Sequence, residues 1–284
     1  MSVNAYLIRI KQFFKKIVIF KSILKYRDKK VNYKNLELIK NNFFNRDLKD
    51  KIIINIEIQN NFYSLNIRKY PYSDAEIFKQ IFIDKCYIHL NEITNVIKKS
   101  NNSIKIIDAG ANVGFSTLYF MSIYKKFEIV VIEPDISNFE ILKNNLNYFN
   151  DYYKYSITFL NNALWINNNK LSLNNNFRDF RNASITFDEK THSDIMIDGI
   201  TFSNILKLKN WDFIDLFKID IEGTERFIFA NDIDADFILS KIKILVIEIH
   251  DEFNIRDKIY SHLQRNNFVY FNHDDLTICI NEKI

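Results

Sequence analysis

The chain has 284 residues, 47% apolar and 26% charged, enough to bury one sizeable core without disulfides or metals. Its net charge of +4 hides an asymmetry: residues 1–34 carry ten Lys or Arg against one acid, Asp28, and the remainder carries 29 basic and 34 acidic residues. The body is therefore not a nucleic-acid binder by charge, and its two cysteines, Cys86 and Cys279, make neither a metal motif nor a disulfide framework, which suits a reduced, cytoplasmic setting.

Residues 1–45 read as a basic arm. Tyr6, Ile10, Phe13, Ile17, Phe20 and Leu24 recur at helical spacing with Lys11, Lys15 and Lys25 opposite. Lysines interrupt the run too often for a membrane span, and no small-residue cleavage site follows it. Such a helix suits peripheral contact with an anionic surface, as at the inner face of a membrane, or packing on the body or a second copy. The 37 asparagines look like base-composition bias, so runs such as Asn174–Asn176 carry little functional weight.

Residues 46–100 predict a hairpin, Ile52–Ile58 with Phe62–Ile67, then a helical pattern over Tyr70–Phe82 and another helix over Cys86–Ile97. From residue 101 to 284 short apolar runs alternate with helical segments. Strands are predicted at Lys105–Ile107, Ile129–Ile132, Ser156–Leu160, Leu216–Ile219 and Ile244–Ile247. Near-continuous apolar runs suit a parallel sheet buried on both faces, and the alternation predicts a Rossmann-like, doubly wound α/β fold. Phe268–Phe271 and Leu276–Ile280 read as a closing hairpin, and residues 174–200 as a polar loop.

The first core strand leads into IKIIDAGANVGFSTLYF, which holds two of only four glycines in the chain. Between this strand and a helix at Phe115–Tyr124, Gly110 allows a tight turn and close approach to a ligand, and Gly114 allows close packing at the helix start. The helix end favours an anion there. The dinucleotide pattern G-x-G-x-x-G fails at Asn112 and Phe115, and a P-loop pattern fails as well. The next strand ends at Glu133, where a carboxylate can accept two ribose hydroxyls; a Ser137–Glu140 capping box and Pro134 mark a helix start beyond it. Together these features predict a nucleoside bearing a small anionic group, and S-adenosylmethionine fits.

IIDAGANVGFSTLYF, VVIEPDISNFEILKNNL, NNALW, DLFKIDIEGTERFIF and ILVIEIHDEF, in this order, resemble the FkbM family of S-adenosylmethionine-dependent methyltransferases, over roughly residues 62–255. The resemblance implies that Asp108, Gly110, Asn112 and Gly114 surround the methionine part of the cofactor and that Glu133 holds the ribose. Pro134 and Asp135 would wall the adenine side, Asn162 and Ala163 would flank it, and Ser73 and Asp74 would close over the cofactor. It also implies O-methylation of a sugar hydroxyl in bacterial surface glycan biosynthesis.

A hydroxyl acceptor benefits from a general base. The fourth core strand ends in Lys218, Asp220 and Glu222, and the fifth in Glu248, His250 and Asp251, so both point at one crevice. His250 is the first choice of base and Asp220 the second, with Glu222 beside them; Glu222 and Glu225 could instead pair with Lys218 or Arg226. Asp220, Glu248 and His250 could alternatively hold Mg²⁺. Arg178, Arg181 and Ser184 could contact the acceptor. His89, His192, His262 and His273 join no cluster. The competing readings are methylation of a non-sugar small-molecule hydroxyl and a non-catalytic membrane-associated assembly factor.

Overall fold

The computed structural model describes residues 52–58, 61–68, 72–97, 103–124, 126–152, 157–174, 186–188 and 196–283. The basic arm and Arg178, Arg181, Ser184 and His192 lie outside the described residues.

A hairpin of β1 (Ile52–Ile58) and β2 (Asn61–Ile67) precedes α1 (Asp74–Phe78) and α2 (Ile88–Ile97). The core continues as β3 (Ile104–Ala109), α3 (Phe115–Ile123), β4 (Phe127–Ile132), α4 (Ile136–Tyr152) and β5 (Ile157–Leu160). Four short strands follow: β6 (Ala163–Leu164), β7 (Lys170–Asn174), β8 (Thr186–Asp188) and β9 (Met196–Ile200). Then come α5 (Phe202–Lys209), β10 (Ile214–Ile219), α6 (Glu225–Ile228), α7 (Asp232–Ser240) and β11 (Ile242–Glu248). α8 (Arg256–Arg265), β12 (Phe268–His273) and β13 (Leu276–Asn281) end the fold.

The main sheet has the order β12-β13-β11-β10-β3-β4-β5, parallel from β11 to β5, with β13 antiparallel to both of its neighbours. From β3 the chain winds outward through β4 and β5, then returns to the other side of β3 to lay down β10 and β11. β3 and β10 therefore flank the topological switch point, and the crevice beyond their carboxyl ends is where such sheets bind ligands. Every residue of β10 is buried, as expected of a strand covered on both faces.

The N-terminal segment shares one hydrophobic cluster with α3, α4 and the sheet. Phe78 meets Phe82 at 4.8 Å and Phe115 edge-on at 5.5 Å, which seats α1 over the start of α3. Each buried Phe contributes about 2 kcal/mol. Asn145 of α4 adds a polar bracket: its side chain accepts from Asn66 N–H at 2.8 Å and donates to Val113 C=O at 3.0 Å, tying hairpin and glycine loop to one helix.

Four local expectations change. The helical pattern over Tyr70–Phe82 is a short α-helix running into a π-helical turn, Lys79–Ile83. The next helix starts at Ile88, after a turn at Cys86 and Tyr87. α4 is capped by Asp135, whose Oδ1 accepts the Asn138 N–H at 2.8 Å, so Ser137 is inside the helix rather than its cap. The loop predicted over 174–200 contains β8 and β9. With β6 and β7 they form a second sheet, stabilised by a small core of Ala163, Trp165 and Leu171.

Candidate active site

A cleft of about 520 Å³ opens beyond the carboxyl ends of β3, β4, β10 and β11. Its glycine-loop wall contains Gly110, Asn112 and Ser116. Gly110 has φ +75°, and a Cβ there would lie 1.7 Å from the Asp220 carbonyl oxygen. Glycine is thus required by the crossing of loop and β10, a stronger constraint than the ligand approach expected of it. Gly114, at φ +90°, packs on Leu142 and Leu146 of α4 and does not line the cleft. Asp108 does not line it either. It is fully buried behind the loop, accepting from Ser116 Oγ at 2.7 Å and Thr117 Oγ1 at 2.6 Å, so it anchors the first turn of α3.

Glu133 stands at the end of β4 on the cleft wall, 5% exposed. Its Oε2 accepts the Asn112 N–H at 2.8 Å and its Oε1 the Asp135 N–H at 3.0 Å. Asn112 adopts φ +50° to make that bond. Burial pushes the Glu133 carboxyl up to about 7, against the opposing pull of these amide donors. Two backbone amides thus aim the carboxylate, Asn138 Nδ2 adds a longer bond to Oε1 at 3.4 Å, and Oε2 keeps a lone pair for a ligand's hydroxyl. Pro134, Asp135 and Ala163 also line the cleft. Asn162 does not; its side chain donates to the Asp198 carbonyl. The neighbouring Asn161, to which the sequence assigned no role, fastens the β4 terminus by donating to Glu133 C=O at 2.8 Å and Pro134 C=O at 3.0 Å.

Ser73 reaches the cleft and makes no side-chain cap bond. Asp74 does not line the cleft. It is fully buried and holds Arg68, with Nη2 at 2.8 Å and Nε at 3.0 Å, while Arg68 Nη2 also donates to Asn138 at 2.7 Å. The pair ties β2 to α1 and α4, and so sets the height of the cover over the cleft. The π-turn completes that cover: Lys79, Gln80 and Ile81 line the cleft, along with Asp84, Cys86 and Tyr87. A π-turn places consecutive side chains differently from an α-turn, and such turns concentrate at functional sites.

At the opposite end Asp220, Glu222, Glu248 and Asp275 face the cleft. Glu248 is raised to about 8, mainly by burial and by the Asp220 charge. His250 does not line the cleft, and its ring is fully buried. Nδ1 lies 2.8 Å from Glu225 Oε1, and Nε2 lies 3.4 Å from Glu222 Oε2. Burial opposes the charged ring, but hydrogen bonds to Glu222 and Glu225 and the charges of Glu225 and Asp220 outweigh it and push His250 up to about 10. The Gly223 N–H donates to Nδ1 at 3.1 Å, and Glu225 Oε1 also accepts the His250 backbone N–H at 3.0 Å. Buried behind the cleft wall, His250 is not placed to reach an acceptor's proton. It holds the turn in which Glu222, at φ +52°, and Gly223, at φ +85°, are both left-handed. Asp251 turns outward to Arg256, and Arg226 stacks 3.7 Å above the Phe253 ring.

Asp220, Glu248 and His250 do bring ligand atoms within 4.8 Å of one another. Mg²⁺ takes oxygen ligands, whereas the third member here is an imidazole whose two nitrogens already face Glu225 and Glu222, so the trio does not fit Mg²⁺.

A family model described as the methyltransferase FkbM domain matches residues 108–270, more than half of the chain. The chain belongs to the FkbM methyltransferase family. It is 36% identical over 74 residues to Methyltransferase 1 of Beauveria bassiana (strain ARSEF 2860), and 36% over 70 residues to Methyltransferase sdnD of Sordaria araneosa. These matches cover 26% and 25% of this chain and only about a quarter of each relative, 26% and 24%. Among solved structures, an FkbM methyltransferase from Methylobacillus flagellatus KT aligns at 21% identity and TM-score 0.45, over 63% of this chain and 43% of that one. The N-terminal domain of human METTL16 in complex with SAH aligns at 14% identity and TM-score 0.40, over 68% and 67%.

In this FkbM chain the sequence thus brings together Gly110, Asn112, Glu133, Pro134, Asp135 and Ala163 on one wall, and Asp220, Glu222 and Glu248 at the far end. It missed the π-turn, Ser116, Asn161 and Asp275. The only signal for Ser116 was its position two residues after Gly114.

Proposed function

We propose that this chain is an S-adenosylmethionine-dependent O-methyltransferase acting on a sugar hydroxyl in bacterial surface glycan biosynthesis. The observation that carries the cofactor is Glu133: a buried carboxylate, aimed by two backbone amides, beside a glycine loop in a cleft of about 520 Å³. That size suits a nucleoside with an amino-acid tail. Glu133 would hold the ribose hydroxyls, the Gly110–Asn112 loop the amino-acid end, and Pro134 and Ala163 the base. S-adenosylmethionine, when bound, supplies an electrophilic methyl group.

The chain's own task is to orient the acceptor oxygen and remove its proton. Glu248, with its carboxyl raised to about 8, and Asp220 are the cleft-facing groups placed for this. A hydroxyl acceptor is favoured over a nucleobase by the lining. Among the described lining residues Tyr87 alone carries an aromatic ring, whereas carboxylates abound to accept hydroxyl protons. Incubation with methyl-labelled cofactor and a panel of glycans tests this. Label on a carbohydrate oxygen supports it, and label on nucleic acid or aromatic nitrogen instead contradicts it.

The basic arm at residues 1–34 would hold the enzyme at an anionic, cytoplasmic-side membrane surface. Among the described residues no helix is long and apolar enough to cross a membrane. Flotation with anionic vesicles, with and without residues 1–34, tests that attachment. Equal flotation of both forms rules it out.

A further inference from the structure

Lys218 lies on β10 directly opposite Asp108 of β3, with its side chain 2% exposed. Its Nζ donates to Gly110 C=O at 2.6 Å and Ala109 C=O at 3.2 Å. The same nitrogen lies 3.5 Å from Asp108 Oδ1 and 3.5 Å from Asp220 Oδ2. The Gly110 and Ala111 amides meanwhile donate to Ile132 C=O, both at 3.0 Å. The turn of the glycine loop is therefore held from β4 through its N–H groups and from β10 through its C=O groups. Of the side chains described, Lys218 alone bonds this loop and also touches an acid at the acceptor end. Merely neutralising buried Asp108 would not require an ammonium pressed onto the Gly110 carbonyl.

We infer that Lys218 is a positioning residue: one buried ammonium fixes the Gly110 loop that receives the cofactor and the Asp220 carboxylate that faces the acceptor. The inference rests on the methyltransferase reading. It makes cofactor placement and acceptor-side charge a single mechanical unit at the switch point. The charges of Asp220 and Asp108 outweigh burial and raise the Lys218 ammonium above its ordinary value, so it stays charged throughout the physiological range.

The structural and positioning roles engage different partners of the one nitrogen and can be separated. Lys218→Met leaves buried Asp108 without its cation and lowers the melting temperature. Adding Asp108→Asn removes that stranded charge while keeping an oxygen for Ser116 and Thr117. The double variant is expected to recover most of the melting temperature, yet to bind S-adenosylhomocysteine at least tenfold more weakly than Asp108→Asn alone, by isothermal titration. That factor corresponds to about 1.4 kcal/mol. Equal affinity of the double variant and Asp108→Asn would overturn the inference. Wild-type protein that binds no S-adenosylhomocysteine would instead overturn the methyltransferase function, and this inference with it.

Discussion

His250→Gln should flatten the dependence of stability on pH. The imidazole titrates near 10 in the fold against an ordinary 6.5, because Glu222 and Glu225 hold the charged form. A group whose pKa is higher in the folded than in the unfolded state stabilises fully below the unfolded value. That stability is lost as pH rises toward the folded value. Between pH 7 and 8.5 the unfolded chain has released this proton and the folded one has not. Wild-type stability should then fall by about 1.4 kcal/mol per pH unit more steeply than that of the variant. Glu133, raised to about 7, slopes the same way in both proteins and largely cancels in the difference, whereas Glu248, which the His250 charge holds down, rises further in the variant and offsets part of it. At pH 7 the variant should itself be less stable by roughly 3 kcal/mol, since Glu225 is left buried without its cation. Urea unfolding at half-unit intervals reads both quantities. Parallel profiles for wild type and variant would refute a charged His250.

Three further outcomes are expected. Gly110→Ala should weaken S-adenosylhomocysteine binding at least about hundredfold, because its Cβ would meet backbone oxygen at 1.7 Å and cannot be accommodated by a rotamer change; near wild-type affinity in calorimetry would contradict this. Glu248→Gln should lower kcat by about 10²–10⁴ with cofactor affinity within about threefold, measured by labelled methyl transfer and calorimetry; an unchanged kcat would remove it as base. Asp74→Ala should lower unfolding stability by roughly 3–5 kcal/mol, since it strands buried Arg68; a loss below about 1 kcal/mol in urea unfolding would show that the clamp is dispensable.

The sheet was legible because parallel strands buried on both faces must be apolar runs, and Ile129–Ile132 and Ile244–Ile247 are such runs. Glu133 was legible because its strand-end position follows from local pattern alone. Asp108, Gly114 and Asp74 were assigned to the ligand through the family resemblance, and a motif places a residue on an element but not on a side of it. Asp108 turns to the start of α3, Gly114 faces α4, and Asp74 is held by Arg68, six residues earlier. His250 sits behind the cleft for another reason. Its ring is held against Glu225, 25 residues away along the chain and 2.8 Å away in space. The π-turn had no signature, since its apolar spacing over Ile77–Phe82 is also compatible with an α-helix.

Titration of the protein with S-adenosylhomocysteine at pH 8 and pH 6, for wild type and Glu133→Gln, tests the central claim most directly. If ionised Glu133 grips the ribose, wild-type affinity should fall about tenfold between those pH values, as its carboxyl takes up a proton near pH 7. The variant should bind at least about tenfold more weakly at pH 8, with little dependence on pH. Absence of binding by the wild type, or equal affinity of the two proteins at pH 8, would contradict the account.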